Sequence, residues 1–265
     1  MVVATVPMKA ESSTIDRSRE MDEKSWWDLW NTSYRAKDDF DQVSSELFSR
    51  AAAVVNEITS QKACRVLEIA CGTGTLSRML VYSTYHGLDI SPAAIEIARE
   101  RSARLTSITK DRQPTYEAAD FCEWPMPTQP FDVAVCVDAI SSIRDQALAM
   151  KKIAGSLNVG GHLVLTTINR FVYDRIQRSS SSPLQNGPVS HWLTRGELNE
   201  LVQNAGLTIE RSATIMPRGN LGILRIVNSS RLNYALGSRV AAVLRRLKEN
   251  AGLGQYSVVV ARKDS

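Results

Sequence analysis

The chain has 265 residues, 43% of them apolar and 23% charged, with a formal net charge of +4. That length suits one α/β domain, with or without an added cap. No apolar run reaches the ~18 residues of a membrane span, and mixed, weakly basic charge is poor support for a nucleic-acid partner.

Residues 1–20 are polar and mixed, and are expected to be disordered. Trp26, Trp27, Trp30 and Tyr34 follow at spacings that place them roughly on one helical face. A second helix is predicted over 41–59, with Val43, Leu47, Ala51, Val54 and Ile58 at steps of three and four. Strands and helices then alternate. A short apolar strand at 65–70 ends at glycines, residues 76–81 read as helical, and a strand at 85–90 ends at an acid. Ser91 can cap the next helix, and Pro92 fits its first position.

A third strand at 115–119 runs into Asp120 and Phe121, and a fourth at 131–137 into Asp138. A helix carrying Ala147, Met150, Ala154 and Leu157 leads to Asn158-Val159-Gly160-Gly161, a tight turn into a fifth strand at 162–168. This alternation predicts right-handed crossovers and a parallel sheet with helices on both faces.

Residues 179–188 are rich in Ser, Pro and Gly and read as a loop. Thr194 and Glu197 form a capping box for a helix that Gly206 can end. Strands at 207–215 and 256–261 close the chain. The insertion between them, 217–254, holds a helix with Leu232, Leu236, Val240, Val243 and Leu247 on one face. Its Arg231, Arg239, Arg245, Arg246 and Lys248 read either as a solvated face or as a surface for an anionic acceptor.

The first strand runs into Glu68-Ile69-Ala70-Cys71-Gly72-Thr73-Gly74. Small residues at 70, 72 and 74 let a ligand approach the backbone, at the carboxyl ends of strands where open α/β sheets bind ligands. Alone, such a loop is a weak signal, as often a plain turn as a ligand site. The acids at successive strand ends add to it. Asp89 can take both hydroxyls of a ribose, Asp120 an adenine amino group, and Phe121 the purine face. Asp138 would lie beside the reacting end. Each singly could also be a helix cap or a solvated loop acid. The four cysteines, Cys64, Cys71, Cys122 and Cys136, form no C-x-x-C pair, and the histidines His86, His162 and His191 are scattered. Buried thiols and no metal are expected.

From 65 to 168 the chain resembles the class I S-adenosylmethionine-dependent methyltransferases. The matching pieces are Val66-Leu67-Glu68-Ile69-Ala70-Cys71-Gly72-Thr73-Gly74, Gly87-Leu88-Asp89-Ile90-Ser91, Ala119-Asp120-Phe121, Phe131-Asp132-Val133 and Leu157-Asn158-Val159-Gly160-Gly161-His162-Leu163. The branch with ubiquinone-biosynthesis O-methyltransferases and small-molecule methyltransferases is the most similar in style, and His191-Trp192-Leu193-Thr194 and Ala205-Gly206-Leu207 also resemble it.

The resemblance implies a Rossmann-like seven-stranded sheet with an antiparallel last strand, and S-adenosylmethionine as donor. Ala70, Gly72 and Gly74 would line its methionine and ribose part. Asp89 would hold the ribose, with Ile90 against the adenine, and Asp120 and Phe121 would hold the base. Ala70 stands where glycine is commoner. A nicotinamide oxidoreductase would instead want a third glycine where Ser77 stands.

The expected organisation is a disordered 1–20 and a single methyltransferase domain over 21–265. Within it, 21–60 would be a helical cap, 61–168 the donor core, and 169–265 the acceptor side with a lid at 217–254. The connections 169–193 and 217–254 and the aromatic N-terminal cap would be three covers around one cleft; they suit an enclosed acceptor and would exclude water. Trp30 and Tyr34 could close over the sulfonium. His191 is the candidate base, and Ser141, Asn169, Tyr173 and Arg225 are candidate acceptor contacts.

The expected reaction is O- or N-methylation of a small molecule, a specialised metabolite, by a cytoplasmic monomer or homodimer, without nucleic acid, membrane or metal. Asp138-Ala139-Ile140-Ser141 departs from the Asn/Asp-Pro-Pro-Tyr pattern of base-methylating enzymes. Macromolecule methylation, cyclisation or aminocarboxypropyl transfer from the donor, and donor sensing without turnover remain open at this point.

Overall fold

The computed structural model describes residues 22–32, 42–60, 63–106, 113–175, 191–217 and 237–265. The expectations at 1–20, Tyr34, 179–188, Arg225, Arg231, Leu232 and Leu236 fall outside them.

Seven strands form one sheet in the order β3-β2-β1-β4-β5-β7-β6. They are β1 (Arg65–Ile69), β2 (Thr84–Asp89), β3 (Thr115–Ala118), β4 (Phe131–Val137), β5 (Leu157–Ile168), β6 (Leu207–Pro217) and β7 (Gly254–Lys263). Strands β1 to β5 pair in parallel, while β7 runs antiparallel to both neighbours, β5 and β6. The expected architecture is the observed one.

The helices are α1 (Glu23–Trp30), α2 (Gln42–Thr59), α3 (Pro92–Thr106), α4 (Gln146–Ser156), α5 (Arg170–Tyr173), α6 (Arg195–Asn204) and α7 (Gly237–Asn250). Alternation along the strands builds two cores. Val66, Val133 and Val135 point to one face, with Leu47 and Val55 of α2 and Ile95 of α3. Leu67, Ala134 and Cys136 point to the other, with Met150 and Ile153 of α4 and Leu198 of α6. A continuous apolar strand covered on both faces is what a parallel sheet demands.

Local signals account for the helix ends. The Ser91 hydroxyl accepts the Ala94 N–H at 3.0 Å, directly before the helix that opens at Pro92. Thr194 and Glu197 form the full capping box of α6, and Gly206 leaves that helix with φ +83°.

Three elements differ from expectation. The helix expected over 76–81 shrinks to one 3-10 turn, Leu76–Arg78, because Met79 and Val81 are tied to α2 through Asn56. Strand β5 starts earlier, at Leu157. Its register with β4 jumps from Phe131↔Leu157 to Val133↔His162, so residues 158–161 loop out within it, with Gly160 at φ +79°.

Helix α7 turns its expected apolar stripe outward: Val240, Val243 and Leu247 are 48%, 58% and 57% exposed. Polar contacts seat the helix instead. Glu249 accepts from Arg50 at 3.1 Å and from the Met216 N–H at 3.2 Å, Thr214 donates to the Glu249 carbonyl at 2.6 Å, and Arg245 pairs with Glu46.

Candidate active site

Because β1 to β4 are parallel, their carboxyl ends share one edge, and the loops leaving them meet there. A cavity of about 530 Å³ opens at this edge. Its floor is the loop after β1, which is shaped by backbone conformation. Ala70, Gly72 and Gly74 all have left-handed φ, at +56°, +53° and +72°. Gly74 closes a turn with its N–H on the Cys71 carbonyl at 3.0 Å.

A side chain at 74 would meet the Tyr116 hydroxyl at 2.8 Å and the Ala98 Cβ at 3.0 Å, so Gly74 is fixed by what lies behind the loop. That hydroxyl bonds Ser77 Oγ at 2.7 Å and Ser102 Oγ at 2.9 Å, and Ser77 donates to the Gly74 carbonyl at 2.9 Å. Burial pushes the Tyr116 phenol up to about 12, so it serves as a neutral brace. At Gly72 the nearest atom to an added Cβ is Asn31 Oδ1, at 3.8 Å. Its bare backbone faces the cavity.

Asp89 stands at the end of β2 and is 7% exposed. The Gly72 N–H donates to one of its oxygens at 2.8 Å and the Ser91 N–H to the other at 2.9 Å. Two backbone donors therefore aim the carboxylate along the wall. Ile90 and Leu88 lie beside it, and Ala119, Asp120 and Phe121 form the next stretch of lining. Phe121 is buried, with Trp124 stacked 6.4 Å away, while Asp120 is exposed and takes the Cys122 N–H at 2.8 Å.

Asp138 lines the far side with φ +55°, its N–H held by the Thr166 carbonyl at 2.9 Å. A second non-glycine residue in the left-handed region, beside Ala70, marks a place where the surroundings enforce a conformation the residue would not choose.

The roof is α1. Trp27, Trp30, Asn31 and Glu23 line the cavity. Trp26 is buried and stacks on Trp30 at 5.5 Å. Burial and the neighbouring Asp120 raise the Glu23 carboxyl, burial being the larger cause, while Arg144, 3.6 Å away, opposes them.

Beneath the floor lies Glu68, 1% exposed, which accepts a short hydrogen bond from the Tyr85 hydroxyl. Burial pushes its pKa up to about 8, the Tyr85 bond opposing and the Asp89 charge adding to the rise.

Of the residues singled out from sequence, Trp30, Ala70, Gly72, Asp89, Ile90, Asp120, Phe121 and Asp138 meet around the cavity. Gly74 stands behind the floor. Ser141 is buried, and its carbonyl accepts the His191 N–H at 2.8 Å. The His191 side chain is exposed and is not part of the lining.

Asn169 is buried and committed to the fold: its amide donates to the Gly252 and Gly254 carbonyls at 3.0 and 2.9 Å and accepts the Phe171 N–H at 3.2 Å. Tyr173 packs on Trp192 at 3.9 Å, against the α2 face of the core. Trp27, Asn31 and Arg144 are lining residues that sequence reading missed; only Trp27, inside the aromatic run, carried any local signal. Among the described residues no group of three or more His, Cys, Asp or Glu could hold a metal ion, and no helix is long and apolar enough to cross a membrane.

An open sheet of this order, with its antiparallel β7 and a cavity at the carboxyl edge, is the methyltransferase fold. It matches the solved N-methyltransferase NodS from Bradyrhizobium japonicum in complex with S-adenosylhomocysteine at a TM-score of 0.57 and 16% identity, over 96% of this chain and 98% of that one. A complex of a putative methyltransferase with the Trm112 methyltransferase activator of Haloferax volcanii matches at 0.61 and 18%, over 90% and 98%.

Residues 34–212 match the methyltransferase domain family, and the chain belongs to it. Among curated relatives, an uncharacterized methyltransferase of Anoxybacillus flavithermus is 28% identical over 51% of this chain, which spans 62% of that relative's length. A ubiquinone biosynthesis O-methyltransferase of Marinobacter nauticus is 22% identical over 70% of this chain and 81% of its own.

Proposed function

We propose that the cavity binds S-adenosylmethionine and that the enzyme transfers its methyl group to an oxygen or nitrogen of a small molecule, a specialised metabolite. The observation that carries this reading is Asp89. Its two oxygens are aimed by the Gly72 and Ser91 N–H groups, beside the bare backbone of 70–72. A carboxylate accepts at both oxygens, and these two backbone bonds fix the direction in which it would meet a ribose diol.

Leu88, Ile90 and Phe121 supply apolar surface for a base, and Asp120 an acceptor for its amino group. A cavity of about 530 Å³ falls within the roughly 300–1,000 Å³ usual for small-ligand sites. When bound, the donor supplies an electrophilic methyl on a cationic sulfur. Trp27 and Trp30 over the floor present faces that attract such a cation, and α1 covers the site against water. In-line placement of the acceptor is the main task left to the protein, and orientation of this kind contributes as much as ~7–11 kcal/mol in favourable systems.

Two observations support a small acceptor: α1 covers the site, and the Marinobacter relative carries the name ubiquinone biosynthesis O-methyltransferase. His191 lies outside the cavity lining, so the reading places no base there. The test is incubation with the donor and a panel of phenols, catechols and amines, read by mass spectrometry. A product one methyl heavier, with S-adenosylhomocysteine in equal amount, is expected. Methylthioadenosine formed without acceptor would overturn the reaction assigned.

A further inference from the structure

Helix α1 is fastened to the donor cradle by hydrogen bonds that cross more than sixty residues of sequence. The buried Ser91 hydroxyl accepts the Ala94 N–H at 3.0 Å and donates to Asp28 Oδ1 at 2.5 Å. The same Asp28 oxygen takes the Ala93 N–H at 3.1 Å.

The first-turn N–H groups of a helix have no partners within it. In α3, two of them are satisfied jointly, one by Ser91 and one by a residue of α1. Ser91 also gives its own N–H to Asp89, whose other oxygen holds the Gly72 N–H. A continuous chain therefore runs from Asp28 through Ser91 and Asp89 to Gly72. It joins the roof to the wall that would hold the ribose and to the floor. At the other end of α1, Glu23 reaches Arg144 at 3.6 Å, but the Arg144 side chain is 79% exposed, and such pairs contribute little. The anchor with a buried partner, Ser91, is Asp28.

We propose that Asp28 is a positioning residue for the methyl donor. It latches α1 down on the β2–α3 turn, so donor release requires breaking the Asp28 contacts with Ser91 and Ala93. This rests on the donor reading above. Asp28 is not among the residues that line the cavity; it acts through Ser91 and through the seating of Trp27, Trp30 and Asn31.

The test is stopped-flow release and calorimetric binding of S-adenosylhomocysteine for wild type, Asp28→Ala and Asp28→Asn. Steady-state kinetics in donor follow. Loss of a hydrogen bond to a charged group predicts roughly ten-fold faster release and a roughly ten-fold higher Kd for Asp28→Ala. The donor KM rises with them, and kcat at saturating donor stays within about two-fold. Asn keeps an oxygen that can accept from both donors and restores most of the affinity.

Amide exchange separates the latch from a general loss of fold. Wild-type residues 23–32 gain protection on adding S-adenosylhomocysteine, and in Asp28→Ala that gain disappears while the sheet stays protected. Unchanged release in a folded Asp28→Ala, or an Asn variant as impaired as Ala, overturns the latch and leaves the donor reading standing. Failure of the wild type to bind the ligand overturns both.

Discussion

Glu68 gives the sharpest prediction about what holds the floor of the site in place. It lies on β1, paired to Gly87 on one side and Val135 on the other, with the Tyr85 hydroxyl bonded to its carboxyl. Its pKa is about 8 in the folded protein against an ordinary 4.5, chiefly through burial. Below the lower value the carboxyl carries its proton in both states. Between the two values the folded protein keeps a proton that the unfolded chain has released, so stability falls as pH rises. The slope is at most about 1.4 kcal/mol per pH unit.

From about pH 5 to about pH 8 the loss is on the order of 3–4 kcal/mol, and it ends once pH passes the folded value. Glu68→Gln keeps an oxygen for Tyr85 and removes the titration. Urea unfolding of both proteins across that window should show the wild type losing stability relative to the glutamine variant by that amount. All other ionisable groups are common to both, so the difference isolates Glu68. Parallel pH profiles would mean that Glu68 ionises in place at little cost.

Ala70 sits at φ +56°, a conformation costing a non-glycine residue about 1–2 kcal/mol; glycine's greater freedom when unfolded returns about 0.4–1. Ala70→Gly should therefore stabilise the protein by roughly 0.5–1 kcal/mol in denaturant unfolding, and equal or lower stability would contradict the strain assigned there. Tyr116→Phe removes the hydroxyl joining Ser77 and Ser102. A loss of about 1–3 kcal/mol is expected, with a raised donor KM as the floor loosens; full stability would show that the brace is idle.

The parts legible in the sequence were those written locally. A small-residue loop directly after a strand, and an acid directly after the next one, occupy consecutive positions whose spatial meeting follows from parallel topology alone. The parts that stayed hidden depend on distant partners. Asp28 reads as one more polar residue among tryptophans until the fold sets it against Ser91. Nothing near Tyr116 announces that its hydroxyl will meet Ser77 and Ser102.

Helix α7 shows the limit of amphipathic periodicity. Val240, Val243 and Leu247 form a stripe, but a stripe does not say which side faces the protein, and the Glu249 and Arg245 contacts to α2 and β6 decide it. The same applies to Asn169, whose place after β5 suggested an acceptor contact while its amide is committed to the Gly252 carbonyl before β7 and the Gly254 carbonyl at its start.

If the cavity holds the adenosine of S-adenosylmethionine, Asp89 is the contact on which its binding depends. Calorimetric titration of S-adenosylhomocysteine into wild type and Asp89→Ala, with circular dichroism to confirm that both are folded, tests it most directly. One site per chain is expected in the wild type, and a variant weakened by about 1.5–3 kcal/mol, or roughly ten- to a hundred-fold in Kd. Equal affinity in the two proteins would contradict it.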